Sequence, residues 1–255
     1  MTQALADSLV LARRNLLRIP RAPDLLLSFT VQPVMFVLLF AYVFGGAIET
    51  PGFDDYKDFL MPGIITQSIA FGGFITAIGL SEDLNKGLID RFRSLPMARS
   101  AVLAGRTAAD VVTNLVSLTI MITVGLIIGF DFKTSVAHVA AGIGLLLLFG
   151  YVFSWIFAFF GLKSSSPESA QSIGFITVFP LTFISSAFVP TDSMPEALQT
   201  FADVNPFTVV VNAMRHLWLD TPAGNAVWGA LAWSVGLLVI FAPLAVRTYR
   251  RAAVK

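Results

Sequence analysis

The chain has 255 residues, of which 56% are apolar and 13% are charged, and its mean hydropathy is +0.77. Soluble domains carry about 25% charged residues, so this composition excludes an ordinary water-soluble globule. The net charge of +1 carries no signature of a nucleic-acid-binding protein, because such proteins are globally or locally basic. The chain has no cysteine, which excludes disulfides and thiolate metal sites, and its two histidines lie far apart along the sequence.

Six stretches without Asp, Glu, Lys or Arg are long enough to cross a bilayer as helices, which takes about 20 mostly apolar residues. They are continuously apolar rather than alternating, which favours helices over barrel strands. The predicted spans are Leu25–Ala47, Phe59–Leu80, Val111–Phe130, Val136–Leu162, Ala170–Val189 and Ala226–Val246. We expect an all-α membrane protein with six transmembrane helices in one domain covering residues 1–255. The aromatic cluster at 149–160 is expected to face lipid or the interfacial belt.

The distribution of Lys and Arg predicts the orientation of these helices, because cytoplasmic segments carry an excess of both residues. The N-terminal tail holds four of the 17, the loop between the second and third spans holds five, and the C-terminal tail holds four. With the loop between the fourth and fifth spans included, one side carries 14 and the other side carries three. We therefore expect both termini in the cytoplasm.

A further apolar stretch, Phe207–Leu219, is too short to cross and contains Arg215 and His216. Apolar runs of about 10–14 residues are more often interfacial or re-entrant than spanning, and a seventh span would place the basic C-terminal tail outside, against the charge rule. We predict an outer re-entrant or interfacial helix between the fifth and sixth spans, within an extracellular loop at 190–225. This loop is expected to act either as a lid or as a passive plug.

An amphipathic helix is predicted at residues 2–19. Its apolar positions recur at helical spacing and are Leu5, Leu9, Ala12 and Leu16. Such a helix either anchors the chain on the membrane surface or braces a cytoplasmic partner.

A second amphipathic helix is predicted at residues 81–95, with Ser81 as its N-cap and Pro96 ending it. Its apolar stripe consists of Leu84, Leu88, Phe92 and Leu95. A short helix with apolar knobs and a charged flank suits insertion into a groove of a soluble protein. A membrane-surface helix is the alternative interpretation.

The motifs that the sequence lacks indicate where the energy for any transport would come from. It has no phosphate-binding G-x-x-x-x-G-K-[ST] motif and no nucleophile or zinc-protease motif. The acid nearest to a span is Asp110, in an i, i+4 series with Arg106 and Asn114, which predicts an interfacial salt bridge anchoring the start of the third span. We expect no catalytic residue and no metal site here. If the chain transports, its energy comes from another polypeptide.

Two segments carry a family resemblance, together with the basic lead helix at 5–19. The first is EDLNKGLIDRFRSLPMARSAVLAGR at 82–106, and the second is FVPTDSMPEALQTFADVNPFTVVVNAMR at 188–215. They resemble the coupling segment and the outer loop of type-2 ATP-binding-cassette exporter permeases of the daunorubicin/doxorubicin-resistance kind. The recognisable positions are Glu82, Gly87, Leu88, Arg91, Arg93, Pro96, Gly105, Arg106, Pro190, Met194, Pro195, Leu198, Asn205, Pro206 and Arg215.

This resemblance implies a multi-pass permease of the plasma (inner) membrane, surrounded by lipid and paired with itself or a close paralogue. Two cytoplasmic ATP-binding-cassette ATPase subunits would bind ATP and Mg, and this chain would hold no cofactor. It also implies that residues 81–95 contact the ATPase, with Glu82 and Arg91 as polar contacts and Leu88 and Phe92 as apolar knobs. The ATPase-coupling candidates are Glu82, Gly87, Leu88, Arg91 and Phe92.

The family places its first, second and fifth helices near the substrate pathway. Candidates on the fifth helix are Phe175, Phe179 and Phe183 at i, i+4, i+8, with Thr182 and Ser186 one step round. Candidates on the second helix are Gln67, Phe71 and Phe74, while Gln32 and Pro33 interrupt the first. Aromatic rings with a few hydroxyl and amide groups suit a flat apolar substrate. The alternative is that these rings face lipid and these polar groups bond neighbouring helices.

Three functions remain open at this point. The leading one is the membrane subunit of an ATP-driven exporter of a drug-like compound or a lipid. An exporter of a lipid-linked glycan is the second. A membrane scaffold or sensor without a substrate is the third, and it leaves the coupling-like segment and the outer loop unexplained.

Overall fold

A computed structural model describes residues 10, 12, 23–44, 48, 50–87, 99–222 and 224–252, and within these residues the chain is all-α without a strand. The helices are α1 (Pro23–Leu38, continued by a π-helix Leu39–Phe44), α2 (Tyr56–Phe71), α3 (Phe74–Asn85), α4 (Arg99–Ile127), α5 (Val136–Lys163), α6 (Pro167–Phe183), α7 (Glu196–Val204), α8 (Pro206–Leu219) and α9 (Ala226–Ala252). A short 3₁₀ turn, Thr191–Ser193, precedes α7.

Within the described ranges, four helical stretches are long and apolar enough to cross a membrane. They are Tyr56–Asn85, Val102–Ile127, Val136–Lys163 and Ala226–Arg251. These stretches coincide with the second, third, fourth and sixth predicted spans. The first predicted span contains a shorter apolar helix, Val31–Val43, and the fifth corresponds to α6, which has 17 residues.

The fifth predicted span was wrong at its end. We expected one helix through Val189, but α6 stops at Phe183 and the following residues are not helical. Pro180 lies in its last turn and supplies no backbone N–H. Residues 185–188 are nevertheless buried, because side chains from α2 and α8 surround them.

The predicted helix at 81–95 also needs correction. Ser81 is not an N-cap, since it lies buried inside α3, and Glu82 sits in the last turn of that helix. Gly87 has φ +64° just beyond the end of α3, a left-handed conformation that glycine adopts without strain and that ends helices. Residues 88–98 lie outside the described part of the chain, and so does the predicted helix at 2–19 except for Val10 and Ala12. Leu88, Arg91 and Phe92 therefore stay sequence-based predictions.

Two glycines bring the backbones of the bundle close together. α2 and α3 form one rod that runs through the centre of the helix bundle. The rod is broken only at Gly72 and Gly73. Gly63 of α2 lies against the backbone of Ala187, and Gly161 of α5 lies against the backbone of Ala77. A Cβ at either position would collide with main-chain atoms, which cannot move aside as a side-chain end does. This close approach holds the segment after α6 against the rod.

α8 is an interior helix, because ten of its 14 residues are buried against α2, α5 and α9. Its C-terminal end is tied to the loop before α5, where the Lys133 N–H donates to the Trp218 carbonyl at 2.8 Å. Its N-terminal end lies deeper, where Phe207 packs edge-on against Phe149 and Phe153 at 5.4 and 5.3 Å. This burial argues against an interfacial helix, which would expose one face.

The expectation that the rings at 149–160 face lipid was wrong for most of them. Phe149, Phe153 and Phe157 are buried, as is Trp155. α8 covers Phe149 and Phe153 but is distant from them in sequence, so hydropathy along α5 gives no sign of it.

We expect Gly63→Ala to destabilise the protein by about 1–3 kcal/mol, because an added methyl group overpacks a contact with rigid backbone. The matched control is Gly144→Ala in α5, where a Cβ meets no atom within 4 Å. That change should be neutral or stabilising by up to about 1 kcal/mol. Thermal melting of the purified protein in detergent measures both, and equal melting temperatures would refute the close approach.

Candidate functional site

A cavity of about 310 Å³ lies between α1, the α2–α3 rod and α6. Five phenylalanine rings contribute to its wall, namely Phe36, Phe71, Phe74, Phe175 and Phe179. Its polar groups come from Gln32, Gln67, Ser68 and Gln171, and Pro33 and Ile78 complete the lining. The volume is at the lower end of the range of about 300–1,000 Å³ for small-molecule sites. The cavity is therefore a candidate binding site for a compact, mainly apolar molecule.

Five of the eight predicted pathway residues line this cavity: Gln67, Phe71, Phe74, Phe175 and Phe179. Thr182 adjoins it, since its Oγ1 accepts a hydrogen bond from Nε2 of Gln67 at 3.1 Å. Phe183 stacks on Phe179 with ring centroids 4.2 Å apart. Ser186 lies elsewhere and bonds to Asn212 and Arg215. Most of the eight predicted pathway residues therefore lie at the cavity or beside it. Their function remains a prediction.

A column of stacked phenylalanine rings connects the two outer walls of the cavity. On α6, Phe175 stacks on Phe179 at 4.6 Å, and Phe183 continues the column to Phe188 at 5.0 Å. Phe188 then stacks on Phe40 of the π-helix at 4.8 Å. Since offset and parallel aromatic pairs contribute about 0.5–1.5 kcal/mol each beyond their burial, this column joins α1 to α6 on one side of the cavity.

Sequence reasoning missed four lining residues: Phe36, Ser68, Ile78 and Gln171. Three of them had a usable signal, because each lies one helical turn from a predicted residue: Gln171 from Phe175, Phe36 from Gln32, and Ile78 from Phe74. Extending the predicted stripes by four residues would have found all three.

Asn205 joins the end of α6 to the start of α8. Its Nδ2 donates to the carbonyl oxygens of Leu181 and Ile184, both at 2.7 Å, and its Oδ1 accepts from the N–H of Phe207 at 2.9 Å. The last carbonyls of a helix have no partner within that helix. One asparagine thus satisfies the end of one helix and the beginning of another.

Arg215 holds the non-helical segment after α6. Its Nη2 donates to the carbonyl oxygens of Ser186 and Phe59 at 2.7 and 2.9 Å, and its Nη1 donates to Oδ1 of Asn212 at 3.0 Å. The guanidinium carbon Cζ lies 3.6 Å from the centroid of the Phe59 ring. The arginine is 4% exposed, so its charge is balanced by neutral acceptors and an aromatic face that α2 and the segment supply.

A second polar layer joins α3 and α4. Arg106 forms an ion pair with Asp83 of α3 at 3.2 Å, and its Nη2 donates to the carbonyl of Ile75 at 3.1 Å. The Thr76 hydroxyl donates to Asp110 at 2.5 Å. The predicted anchor is therefore an interhelical network that fixes α4 against α3, with Asp110 itself buried.

An ionic cluster and both histidines lie near the C-terminal end of α8. Hydrogen bonds from Lys133 to Asp58 and Asp54, at 3.0 and 3.1 Å, raise the pKa of this lysine. His138 and His216 are distant in sequence, but their ring centroids lie 6.5 Å apart. No group of three or more His, Cys, Asp or Glu suited to a metal ion occurs among the described residues.

Four apolar helical stretches long enough to cross a bilayer indicate an integral membrane protein. The chain belongs to the ABC-2 type transporter family, whose family model matches residues 7–219. As a member of that family it is a multi-pass transmembrane subunit of an ATP-binding-cassette transporter, and the relationship implies a partner ATP-binding-cassette subunit.

Relatives cover most of the chain. The daunorubicin resistance ABC transporter permease protein DrrB1 of Streptomyces coeruleorubidus is 35% identical over 237 residues, 93% of this chain and 83% of the relative. The probable doxorubicin resistance ABC transporter permease protein DrrC of Mycobacterium tuberculosis (strain CDC 1551 / Oshkosh) is 25% identical over 249 residues, 97% of this chain and 90% of the relative. The putative transport permease ycf38 of Pyropia yezoensis is 26% identical over 232 residues, with coverage of 86% and 77%.

We expect Arg215→Lys to lower stability by about 2–3 kcal/mol, because lysine keeps the charge but loses the planar fork that reaches several carbonyls, and hydrogen bonds to a charged group are worth about 1.5–3 kcal/mol each. The matched control is Arg247→Lys at an exposed position of α9, which should leave the melting temperature unchanged. Thermal unfolding in detergent, followed by tryptophan fluorescence, compares the two. Indistinguishable melting curves would contradict the structural role of Arg215.

Proposed function

We propose that this chain is the transmembrane subunit of an ATP-driven exporter that moves a hydrophobic or amphipathic, drug-like compound or a lipid out of the cell. The cavity that five phenylalanine rings line beside Gln67 is the observation that carries this proposal. Two relatives named for daunorubicin and doxorubicin resistance support the choice of substrate class. The pathway would consist of Gln67, Phe71, Phe74, Phe175, Phe179, Thr182, Phe183 and Ser186.

In this proposal the ATPase acts on the cavity through the α2–α3 rod. Glu82 and Gly87 lie at the far end of α3, and the same rod carries Gln67, Phe71 and Phe74 at the cavity. The ion pair between Asp83 and Arg106 couples this end of the rod to α4. A displacement at residues 81–95 would therefore reach the cavity wall along α3, which carries Phe74 and Ile78, and would move α4 with it. Leu88, Arg91 and Phe92 would complete the contact with the ATPase.

The proposed arrangement in the membrane has six spans and two cytoplasmic termini in the plasma (inner) membrane. The charge asymmetry of 14 to three supports this orientation. α7 and α8 would form an outer re-entrant hairpin, supported by the burial of α8 and by its N-terminal end lying deep in the bundle. Two copies of this chain, or one copy and a paralogue, would sit on two ATPase subunits that hold ATP and Mg.

The cavity also favours this proposal over the two alternatives. A conduit for a lipid-linked glycan should be wide, whereas this cavity measures about 310 Å³. A scaffold or sensor subunit needs no cavity at the pathway residues.

We expect Phe92→Asp to abolish coupled transport, because a carboxylate replaces an apolar knob at the proposed ATPase contact. Phe92→Leu, which keeps the knob apolar, should retain most of the coupling. The measurement is ATP hydrolysis by the cognate ATPase in proteoliposomes, with and without the chain. An ATPase whose rate is indifferent to the presence of this chain would refute the proposal.

We expect Phe179→Ala to reduce drug export by about tenfold, because the cavity loses a ring that stacks on two neighbours. Ile176→Ala is the matched control, since Ile176 lies on the same helix, is 72% exposed and does not line the cavity. Accumulation of a fluorescent drug in cells expressing the permease with its ATPase measures both. If the two variants behave alike, the cavity is not on the pathway.

A further inference from the structure

The only two histidines of the chain lie side by side at the end of the bundle where α8 ends. His138 is in the first turn of α5 and His216 is in the last turn of α8, and their ring centroids are 6.5 Å apart. His138 is exposed and His216 is half-buried. The pair is therefore accessible to a ligand from solvent.

Three hydrogen bonds join the start of α5 to the end of α8 beside the two rings. The N–H of Lys133 donates to the carbonyl oxygen of Trp218 at 2.8 Å. The Thr134 hydroxyl donates to the carbonyl oxygen of Leu217 at 2.7 Å, and Nε1 of Trp218 donates to the carbonyl oxygen of Val139 at 3.4 Å. Each bond lies within a few residues of both histidines, so the scaffold itself holds the rings near each other.

Hydrogen bonds at Nδ1 leave the Nε2 atoms available as ligands. Nδ1 of His216 lies 2.6 Å from the carbonyl oxygen of Thr221, so Nδ1 carries the proton and Nε2 has a free lone pair. Nδ1 of His138 lies 2.9 Å from Oγ of Ser135, and with its proton on Nδ1 this ring also has a free Nε2. Neither Nε2 has a hydrogen-bond partner among the described residues. An Nδ1–H bond to a backbone carbonyl is an arrangement that orients metal-binding histidines.

We infer that His138 and His216 form a binding site for one transition-metal dication, bound through the two Nε2 atoms and completed by water. Imidazole suits Cu²⁺, Ni²⁺ and Zn²⁺, whereas Mg²⁺ and Ca²⁺ take oxygen ligands. Structural zinc sites have four protein ligands, so a site with two protein ligands holds an exchangeable ion.

The bound ion would clamp the start of α5 to the end of α8. Metal–nitrogen distances of about 2.0–2.1 Å require the two rings to approach each other by roughly 1 Å, and rotation of the exposed His138 side chain provides this movement. The site lies apart from the aromatic cavity, so the inference does not rest on the proposed function.

Cu²⁺ binding to the full chain in dodecyl maltoside tests the site directly. With an affinity tag that contains no histidine, His138 and His216 are the only imidazoles present, and the chain has no cysteine. Pulsed EPR distinguishes one from two imidazoles on the copper. We expect one Cu²⁺ per chain with two imidazoles bound. Excess Zn²⁺ should raise the melting temperature by at least about 3 °C, because it binds the folded chain alone.

Variants separate a paired site from single histidines. His138→Gln and His216→Gln should each weaken Cu²⁺ binding at least about tenfold and leave one imidazole on the copper. His138→Gln combined with Ala140→His keeps two histidines but moves one ring to the other side of α5, because residues two positions apart are about 200° apart around a helix. This variant should bind no more tightly than His138→Gln. Ala140→Gln, at an exposed position, is the matched control and should bind Cu²⁺ as wild type does.

One imidazole or none on the copper in wild type would overturn the inference, and this measurement depends on no variant. Wild-type affinity in the variant with the relocated histidine would also overturn it, because the proximity of the rings would then play no part. The same applies if Zn²⁺ raises the melting temperature of His216→Gln as much as that of wild type. Drug export and its dependence on the ATPase are separate measurements, so these outcomes leave the proposed function untouched.

Discussion

The structure depends on one requirement, which is that the non-helical backbone after α6 finds hydrogen-bond partners inside an apolar bundle. Backbone groups in such surroundings have no water to bond, and each unsatisfied group costs several kcal/mol. Arg215 answers most of this need by donating to the carbonyls of Ser186 and Phe59. Asn205 closes the preceding helix, and the Tyr56 hydroxyl donates to the carbonyl of Phe188 at 2.8 Å. These contacts explain why α8 lies in the interior.

The same contacts position the cavity. Once the segment after α6 is fixed against α2, the ring of Phe188 completes the aromatic column between α6 and α1. Gln67 then meets Thr182 across the α2–α6 contact. The way in which α6 ends therefore determines the shape and polarity of the cavity and the orientation of the Gln67 amide. At the opposite end of the α2–α3 rod, the ion pair of Asp83 with Arg106 joins that end of the rod to α4.

Local patterns along the chain predicted four helices long enough to cross a membrane and most of the cavity lining, but they failed where partners are distant in sequence. The stripes Gln67–Phe71–Phe74 and Phe175–Phe179 were correct as shared faces because helical periodicity is a local property. The end of α6 was missed because Asn205, 21 positions beyond Ile184, supplies the cap. Phe149 and Phe153 were placed in lipid because composition alone does not reveal that Phe207 covers them. Ser81 resembled a cap only because the helix that already contains it was assumed to stop at Leu80.

The sequence by itself determined that the chain is an all-α membrane protein, where its apolar spans lie, and which side chains share a helical face. Each of these properties depends on residue type and spacing within one segment. Tertiary structure decided which faces meet around the cavity, that Arg215 supports backbone in the interior, and that the two histidines are neighbours. The reason is physical: hydrophobic burial is non-directional and can be read from composition, whereas buried hydrogen bonds require specific partners whose proximity only the packed fold creates.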